Sequence, residues 1–355
     1  LSKMGGRTIG IYVLTTVFAV SLGLLVVNVV QPGNTINEET RTELMEKFAD
    51  DAQKRKEAAV SQQEQGPLQA LVDIVPSNII GAASDNGNML QVIFFVIFFG
   101  VALIMIPENK SKPVITFFDS FNEAILKMID LIMLAAPLGV FALLAALVAK
   151  SPSTDIFIAL GAYGACVVGG LALMVFVFYP IILKLFTKVR PMDFFKAIAP
   201  AQLLAFSTSS SAATLPVTMD CVEENLGVDN EISSFVLPVG ATINMDGTSL
   251  YQAVAAVFIA QVFAHDLTLA DQLTIVMTAT LASIGSAAVP GAGLLMLIIV
   301  LEAIGVEPAG IALIFAVDRP LDMCRTTLNV TGDSTVATLI ASMEGKINPP
   351  KKIQN

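Results

Sequence analysis

Charge is scarce in this sequence, and histidine nearly absent. Of 355 residues, 14% are charged, one is His and three are Cys. A soluble domain of this size carries roughly a quarter charged residues, so an ordinary solvated globule is excluded. His265, the one histidine, closes an apolar run and reads as an interfacial or loop residue. No pair of histidines with metal-ligand spacing and no Ser/His dyad is present, which leaves an enzyme little to work with. Cys166, Cys221 and Cys324 show no metal spacing, and two fall in or beside apolar segments, where inert buried thiols are expected. No basic patch for nucleic acid appears, and the net charge is −10. The first residue is Leu1 and no secretory signal pattern follows, so the native N-terminus is expected to be missing.

What is abundant is apolar sequence: 55% of residues are hydrophobic. The charges cluster, leaving uncharged windows at Asn86–Pro107, Leu131–Ala149, Ile156–Leu183 and Gly247–Ala264. Each is near the length of about 20 residues that crosses a bilayer as a helix. The expected fold is therefore an all-α polytopic membrane protein in contact with the lipid bilayer. Early spans are expected over 8–30, 89–106, 121–149 and 156–183. Basic residues mark alternate connectors: Lys3 with Arg7, Lys110 with Lys112, then Lys184, Lys188, Arg190 and Lys196. The last ten residues are basic too. Positive-inside bias places these connectors and the C-terminus in the cytoplasm and the acidic stretch Glu38–Glu64 outside.

Beyond residue 196 the segments shorten and fill with Ser, Thr, Gly and Pro. Ser210–Pro216 reads SSAATLP and Gly285–Gly291 reads GSAAVPG. Each precedes a span with polar residues inside it, a weak repeat of the kind that points to a binding site at a transporter's midplane. At about 100° per residue, Asp318, Asp322, Arg325, Thr326, Asn329 and Asp333 fall in a stripe roughly 100° wide on one helix. A charge at mid-membrane costs about 2.5–3.5 kcal/mol on insertion scales, so several on one face imply a use. Asp246, Asp318, Asp322 and Asp333 face only Arg319 and Arg325, because no Lys lies between Lys196 and Lys346. Unpaired buried carboxylates call for bound cations or protons. Arg offers a planar fork for a carboxylate, and an Asp three residues earlier can take an ammonium, which together describe an amino acid with a side-chain carboxylate. In Asn244-Met245-Asp246-Gly247-Thr248, the glycine is expected to permit unwinding, turning carbonyls toward an ion. The Ser-rich stretch 207–211 suits a helix N-terminus facing a substrate carboxylate.

Taken together, SSSAATLP (209–216), NMDGT (244–248), SIGSAAVPGAG (283–293) and DMCRTTLNVTGD (322–333) resemble the dicarboxylate/amino acid:cation symporter family, the glutamate transporter family. Order and spacing match along essentially the whole chain. The resemblance implies a glutamate-transporter-like fold with two re-entrant helical hairpins and inverted repeats, assembled as a homotrimer in the inner membrane and moving as an elevator. It implies a transport domain over 1–30 and 151–345, with hairpin 1 at about 192–224, a broken span at about 230–265, hairpin 2 at about 270–304 and a last span at about 308–341. Residues 31–88 form the external acidic loop, 89–150 the scaffold spans and 346–355 a cytoplasmic tail. Two scaffold helices would precede the first span, so the chain is expected to be N-terminally truncated.

Residue by residue, the resemblance assigns Arg325 to the substrate's side-chain carboxylate, with Thr248 beside it. It assigns Asp322 to the amino group, and Asn329 and Ser211 to the α-carboxylate. Thr326 lies on the same stripe, and Val289 and Gly293 match residues that close over the substrate. Co-transported Na+ is expected at three sites. Gly240, Asn244, Asn329 and Asp333 match one; Tyr12, Thr15, Thr16, Asn244 and Asp246 match another; Thr242, Ser283, Ile284 and Ser286 match a third. Both Arg325 and Asp322 are present, favouring aspartate or glutamate over neutral amino acids and plain dicarboxylates. Where some members carry an extra Arg, this chain has Ser209 and Met323, so either Arg319 takes over that role or the contact is missing. Gln252 stands where proton-coupled animal members have Glu, and an amide carries no titrating proton. Proton-coupled glutamate or dicarboxylate symport and, in another class, a ligand-gated ion channel are the alternatives.

Overall fold

A computed structural model describes residues 2–37, 42, 75–84, 89–133, 138, 155–285, 288 and 290–348. Most of the acidic loop, part of the expected third span, Ser286, Val289 and the end of the tail lie outside the described residues. The chain divides into two compact units, Phe48–Pro152 and the remainder, Leu1–Lys47 with Ser153–Asn355. Among the described residues the structure is helical, with no strand and one isolated antiparallel bridge between Val228 and Ile347.

In the Phe48–Pro152 unit, α2 (Ile79–Ala83) starts where the Asn78 side chain accepts from the Ile80 and Gly81 amides at 3.0 and 3.1 Å. Such capping satisfies donors that a helix start leaves open. Helix α3 (Met89–Met105) ends two residues before Pro107, and α4 (Glu108–Met133) follows; Phe99 meets Phe118 edge-to-face with ring centres 6.2 Å apart.

The larger unit opens with α1 (Ser2–Val30), then α5 (Asp155–Leu173). A wide π turn, Met174–Phe178, links α5 to α6 (Tyr179–Phe186), where the Tyr179 amide donates to the Met174 carbonyl. Pro180 lacks an amide to continue a regular ladder, and the widened turn absorbs that loss. Helices α7 (Pro191–Thr208) and α8 (Ser211–Asp220) are joined by Ser209, in the left-handed region at φ 53, and Ser210. The Ser210 hydroxyl accepts from the Ala213 amide at 3.1 Å and so caps α8. Helix α9 (Asn230–Ile243) gives way at Asn244 and Met245 to α10 (Asp246–Val262). A second pair, α11 (Leu269–Gly285) and α12 (Ala292–Ala303), precedes the long α13 (Ile311–Glu344).

Inside and outside are inverted relative to a water-soluble domain. Arg325, Asp246, Asp333 and Asn244 are buried, while Leu14, Leu25, Val29, Phe176 and Leu203 stand exposed. Water penalises that arrangement, whereas hydrocarbon favours it. Among the described residues, two helices are long and apolar enough to cross a membrane, Met4–Thr35 and Asp155–Phe186; shorter apolar helices include Leu269–Ile284 and Ala292–Ala303.

Candidate functional site

Helix α13 carries the polar stripe, and packing encloses it. Asp318, Asp322, Arg325, Thr326, Asn329 and Asp333 are all buried. Arg319, on the stripe's edge, keeps a half-exposed side chain. The stripe divides into two clusters, each completed by the break between α9 and α10.

The first cluster centres on Arg325. Its Nη2 lies 2.8 Å from Asp322 Oδ1 and 3.0 Å from Asp318 Oδ1, and its guanidinium carbon sits 3.8 Å from the centre of the Tyr251 ring. Its Nε and Nη1 make no hydrogen bond, although the side chain is fully buried. A buried donor without a partner costs about 1–3 kcal/mol, more when charged. Asp322 Oδ2 accepts from the Gly291 amide at 3.0 Å, which ties α13 to the start of α12. Gly293 comes so close that an added methyl would lie 3.1 Å from Thr248 Cγ2 and 3.5 Å from Arg325 Nη1. Ser211, Thr248, Gly293, Asp322, Thr326 and Asn329 line one cleft. The two interrupted helix pairs meet over it, where the Ser210 hydroxyl donates to the Ala288 carbonyl at 2.7 Å.

The break holds this cleft to the second cluster. Asn329 Oδ1 accepts from the Gly247 amide at 2.8 Å, while its Nδ2 reaches Thr248 Oγ1 at 3.4 Å. The unwound residues are Asn244 and Met245, not Gly247 as the sequence suggested. Gly247 is helical, and it is small for another reason: an added methyl would lie 2.6 Å from the Arg325 carbonyl. Close approach of α10 to α13 requires glycine there.

The second cluster is oxygen-rich. Asp246 Oδ1 accepts from Thr16 at 2.8 Å and Thr15 at 3.3 Å, and its Oδ2 accepts from Tyr179 at 2.8 Å. Asp333 Oδ1 accepts from Asn244 Nδ2 at 2.9 Å, and Thr15 also donates to Asn244 Oδ1 at 3.3 Å. The Tyr12 hydroxyl donates to the Val236 carbonyl at 2.9 Å. Gly240 packs against both Tyr12 and Asp333. Among the described residues no group of three or more His, Cys, Asp or Glu is gathered. Two carboxylates among hydroxyl and amide oxygens instead suit a hard cation of low charge.

Of the third set of residues, Ser283 lies at the break: its hydroxyl donates to the Ile243 carbonyl and accepts from the Met245 amide, both at 3.1 Å. Ile284 is half-buried. Thr242 stands exposed, donating to the Pro238 and Val239 carbonyls of its own helix. Ser286 and Val289 lie outside the described residues. Sequence reasoning passed over Tyr179 and Tyr251. A tyrosine inside an apolar span carries a hydroxyl that seeks a partner, and that signal was available.

Comparison with known proteins adds the lineage. A model described as the sodium:dicarboxylate symporter family matches residues 1–343. The chain is 44% identical over 268 residues to excitatory amino acid transporter 3 of Homo sapiens, covering 76% of this chain and 51% of that protein. It is 36% identical over 354 residues to the proton/sodium-glutamate symport protein of Bacillus subtilis (strain 168), covering 99% of this chain and 79% of that protein. Thus the chain spans about half the length of the human relative and more of the bacterial one.

Proposed function

The chain belongs to the sodium:dicarboxylate symporter family, whose members are transporters and not enzymes, and on that footing we propose that it is a secondary symporter of aspartate or glutamate driven by sodium ions. The observation that carries this reading is the buried Arg325 fork, with Nε and Nη1 unpartnered beside Asp322. Unmet donors on a buried guanidinium call for a carboxylate, and Asp322 offers the matching acceptor for an ammonium. The α-carboxylate goes to Ser211 at the start of α8 and to Asn329. Thr248, Thr326 and Gly293 shape the cleft, and Val289 closes it.

Sodium occupies the oxygen cluster of Tyr12, Thr15, Thr16, Asn244 and Asp246, and a neighbouring site of Gly240, Asn244, Asn329 and Asp333. A third site lies at Thr242, Ser283, Ile284 and Ser286. Asn329 touches the cleft and stands one turn from Asp333, which supports coupling: cation and substrate order the same helix break. Each positive charge crossing with the membrane potential contributes about 2.3 kcal/mol per 100 mV.

The pairs α7–α8 and α11–α12 act as re-entrant hairpins of two inverted repeats. Residues 1–30 and 151–345 form the moving transport domain and residues 89–150 belong to the scaffold of a homotrimer, in an elevator cycle. The protein resides in the inner membrane with its C-terminus in the cytoplasm.

Sodium-jump uptake in proteoliposomes with a panel of amino acids tests the reading. Labelled aspartate is expected to accumulate and to exchange by counterflow, with neutral amino acids excluded. Conductance without stoichiometric exchange would instead identify a ligand-gated channel.

A further inference from the structure

The two carboxylate oxygens of Asp246 are not alike. Asp246 and Tyr179 are both fully buried. Oδ1 faces α1, accepting from Thr16 at 2.8 Å and Thr15 at 3.3 Å. Thr15 can turn away, because its hydroxyl also lies 3.0 Å from the Tyr12 carbonyl. With its proton there, its lone pairs are free for a cation beside Oδ1. Oδ2 faces α6, accepting from Tyr179 at 2.8 Å. Among the described residues the Tyr179 hydroxyl has no second acceptor, and a phenol keeps its proton at neutral pH. That proton stays on Oδ2.

The fold keeps the hydroxyl in place. The π turn Met174–Phe178 takes an extra residue just before α6, and Phe178 stacks on Phe18 of α1 with ring centres 4.0 Å apart. This brings the first residue of α6 beside the threonines of α1. On the α13 side stands Gly332, where an added methyl would lie 2.6 Å from the Tyr179 oxygen and 3.2 Å from Asn244 Nδ2. Widened turns of this kind gather at functional sites. A carboxylate with one oxygen held by a charge-assisted hydrogen bond offers a cation the other oxygen alone. Calcium takes roughly six to eight oxygens and often grips a carboxylate by both. Sodium carries half that charge and is balanced by one carboxylate.

We propose that Tyr179 sets the cation selectivity of the cluster between α1 and α10: by occupying Oδ2 it makes Asp246 a single-oxygen ligand, which admits a monovalent cation and rejects a divalent one. This rests on the sodium reading above. Tyr179 is a positioning residue; it acts on the cation through Asp246.

The test reads binding, not transport. The purified full chain is melted in detergent over a range of Na+ or Ca2+ concentrations in choline buffer, where stabilisation by a ligand reports its dissociation constant. The wild type is stabilised by Na+ and not by Ca2+. Tyr179→Phe keeps the ring and frees Oδ2. In that variant Na+ binds more weakly, Ca2+ now stabilises, and the preference for Na+ over Ca2+ falls about tenfold or more. Added to Asp246→Asn, the same change moves the preference no further, because its effect runs through the carboxylate. A Tyr179→Phe protein that melts earlier with its preference intact overturns the proposal, since the hydroxyl is then only structural. Should Tyr179→Phe fail to fold, Gly332→Ala, which displaces the same hydroxyl, must lower the preference, and an unchanged preference there overturns it equally. Equal stabilisation of the wild type by Ca2+ and Na+ sinks this proposal alone; a wild type that Na+ affects neither in melting nor in uptake sinks the sodium reading beneath it.

Discussion

Gly240 and Asp333 are packed so tightly that a methyl group on Gly240 would lie 2.5 Å from Asp333 Oδ1, and 2.4 Å from the Tyr12 hydroxyl. Real side-chain carbons do not approach that closely, so Gly240→Ala forces α9 away from Asp333. The half-maximal sodium concentration for uptake is expected to rise about tenfold, equivalent to about 1.4 kcal/mol. Overpacking lowers stability by about 1–3 kcal/mol, readable as a lower melting temperature in detergent. An unaltered sodium requirement would remove Gly240 and Asp333 from the cation site.

Arg325→Cys removes the only fully buried cation of the cleft among the described residues. Truncating one partner of a buried charge pair costs about 2 kcal/mol or more, so acidic substrate affinity should fall near thirtyfold or beyond. Neutral amino acids should gain uptake, since a small thiol leaves room and no cation that calls for a substrate side-chain carboxylate, although Asp318 loses its guanidinium partner. Competition of labelled aspartate by serine and alanine measures both effects. Aspartate uptake at the wild-type level would refute the assignment.

Asp333→Asn keeps the shape but withdraws a negative charge beside Asn244. A neutral amide attracts a cation far less, so sodium dependence should weaken by about tenfold. Raising the sodium concentration is expected to restore the maximal rate. A variant with wild-type sodium titration but a lowered maximal rate would place the role of Asp333 elsewhere in the cycle.

Gly227→Ala serves as a probe remote from both clusters. Gly227 has φ +74, and an added methyl would lie 1.9 Å from the Asn348 carbonyl oxygen. Its carbonyl accepts from the Asn348 amide at 2.7 Å, next to the bridge between Val228 and Ile347. Backbone strain of this kind costs about 1–3 kcal/mol. The melting temperature should drop while substrate and sodium constants stay put; a shift in either constant would show that the C-terminal clasp communicates with the site.

The polar face of α13 was legible because a helix repeats every few residues and Asp, Arg and Asn stand out against an apolar background. The pairing of Asp246 with Tyr179 was not, since the two are 67 positions apart and neither neighbourhood marks the other. Gly247 shows the same limit in another form. A glycine in a polar apolar-flanked motif suggested an unwound turn, yet it is the approach of α13, invisible along the chain, that demands a residue without a side chain.

Residue order alone dictates that this chain prefers lipid to water, that its late segments carry charge no lysine can offset, and that one helix face gathers that charge. These follow from local chemistry: transfer free energy and helical period are properties of neighbours in sequence. Which carboxylate meets which cation was decided by packing. Arg325 turns one nitrogen to Asp318 and Asp322 and leaves two donors unmet, because α10, α12 and α13 close around it, and distances between separate helices belong to no stretch of sequence.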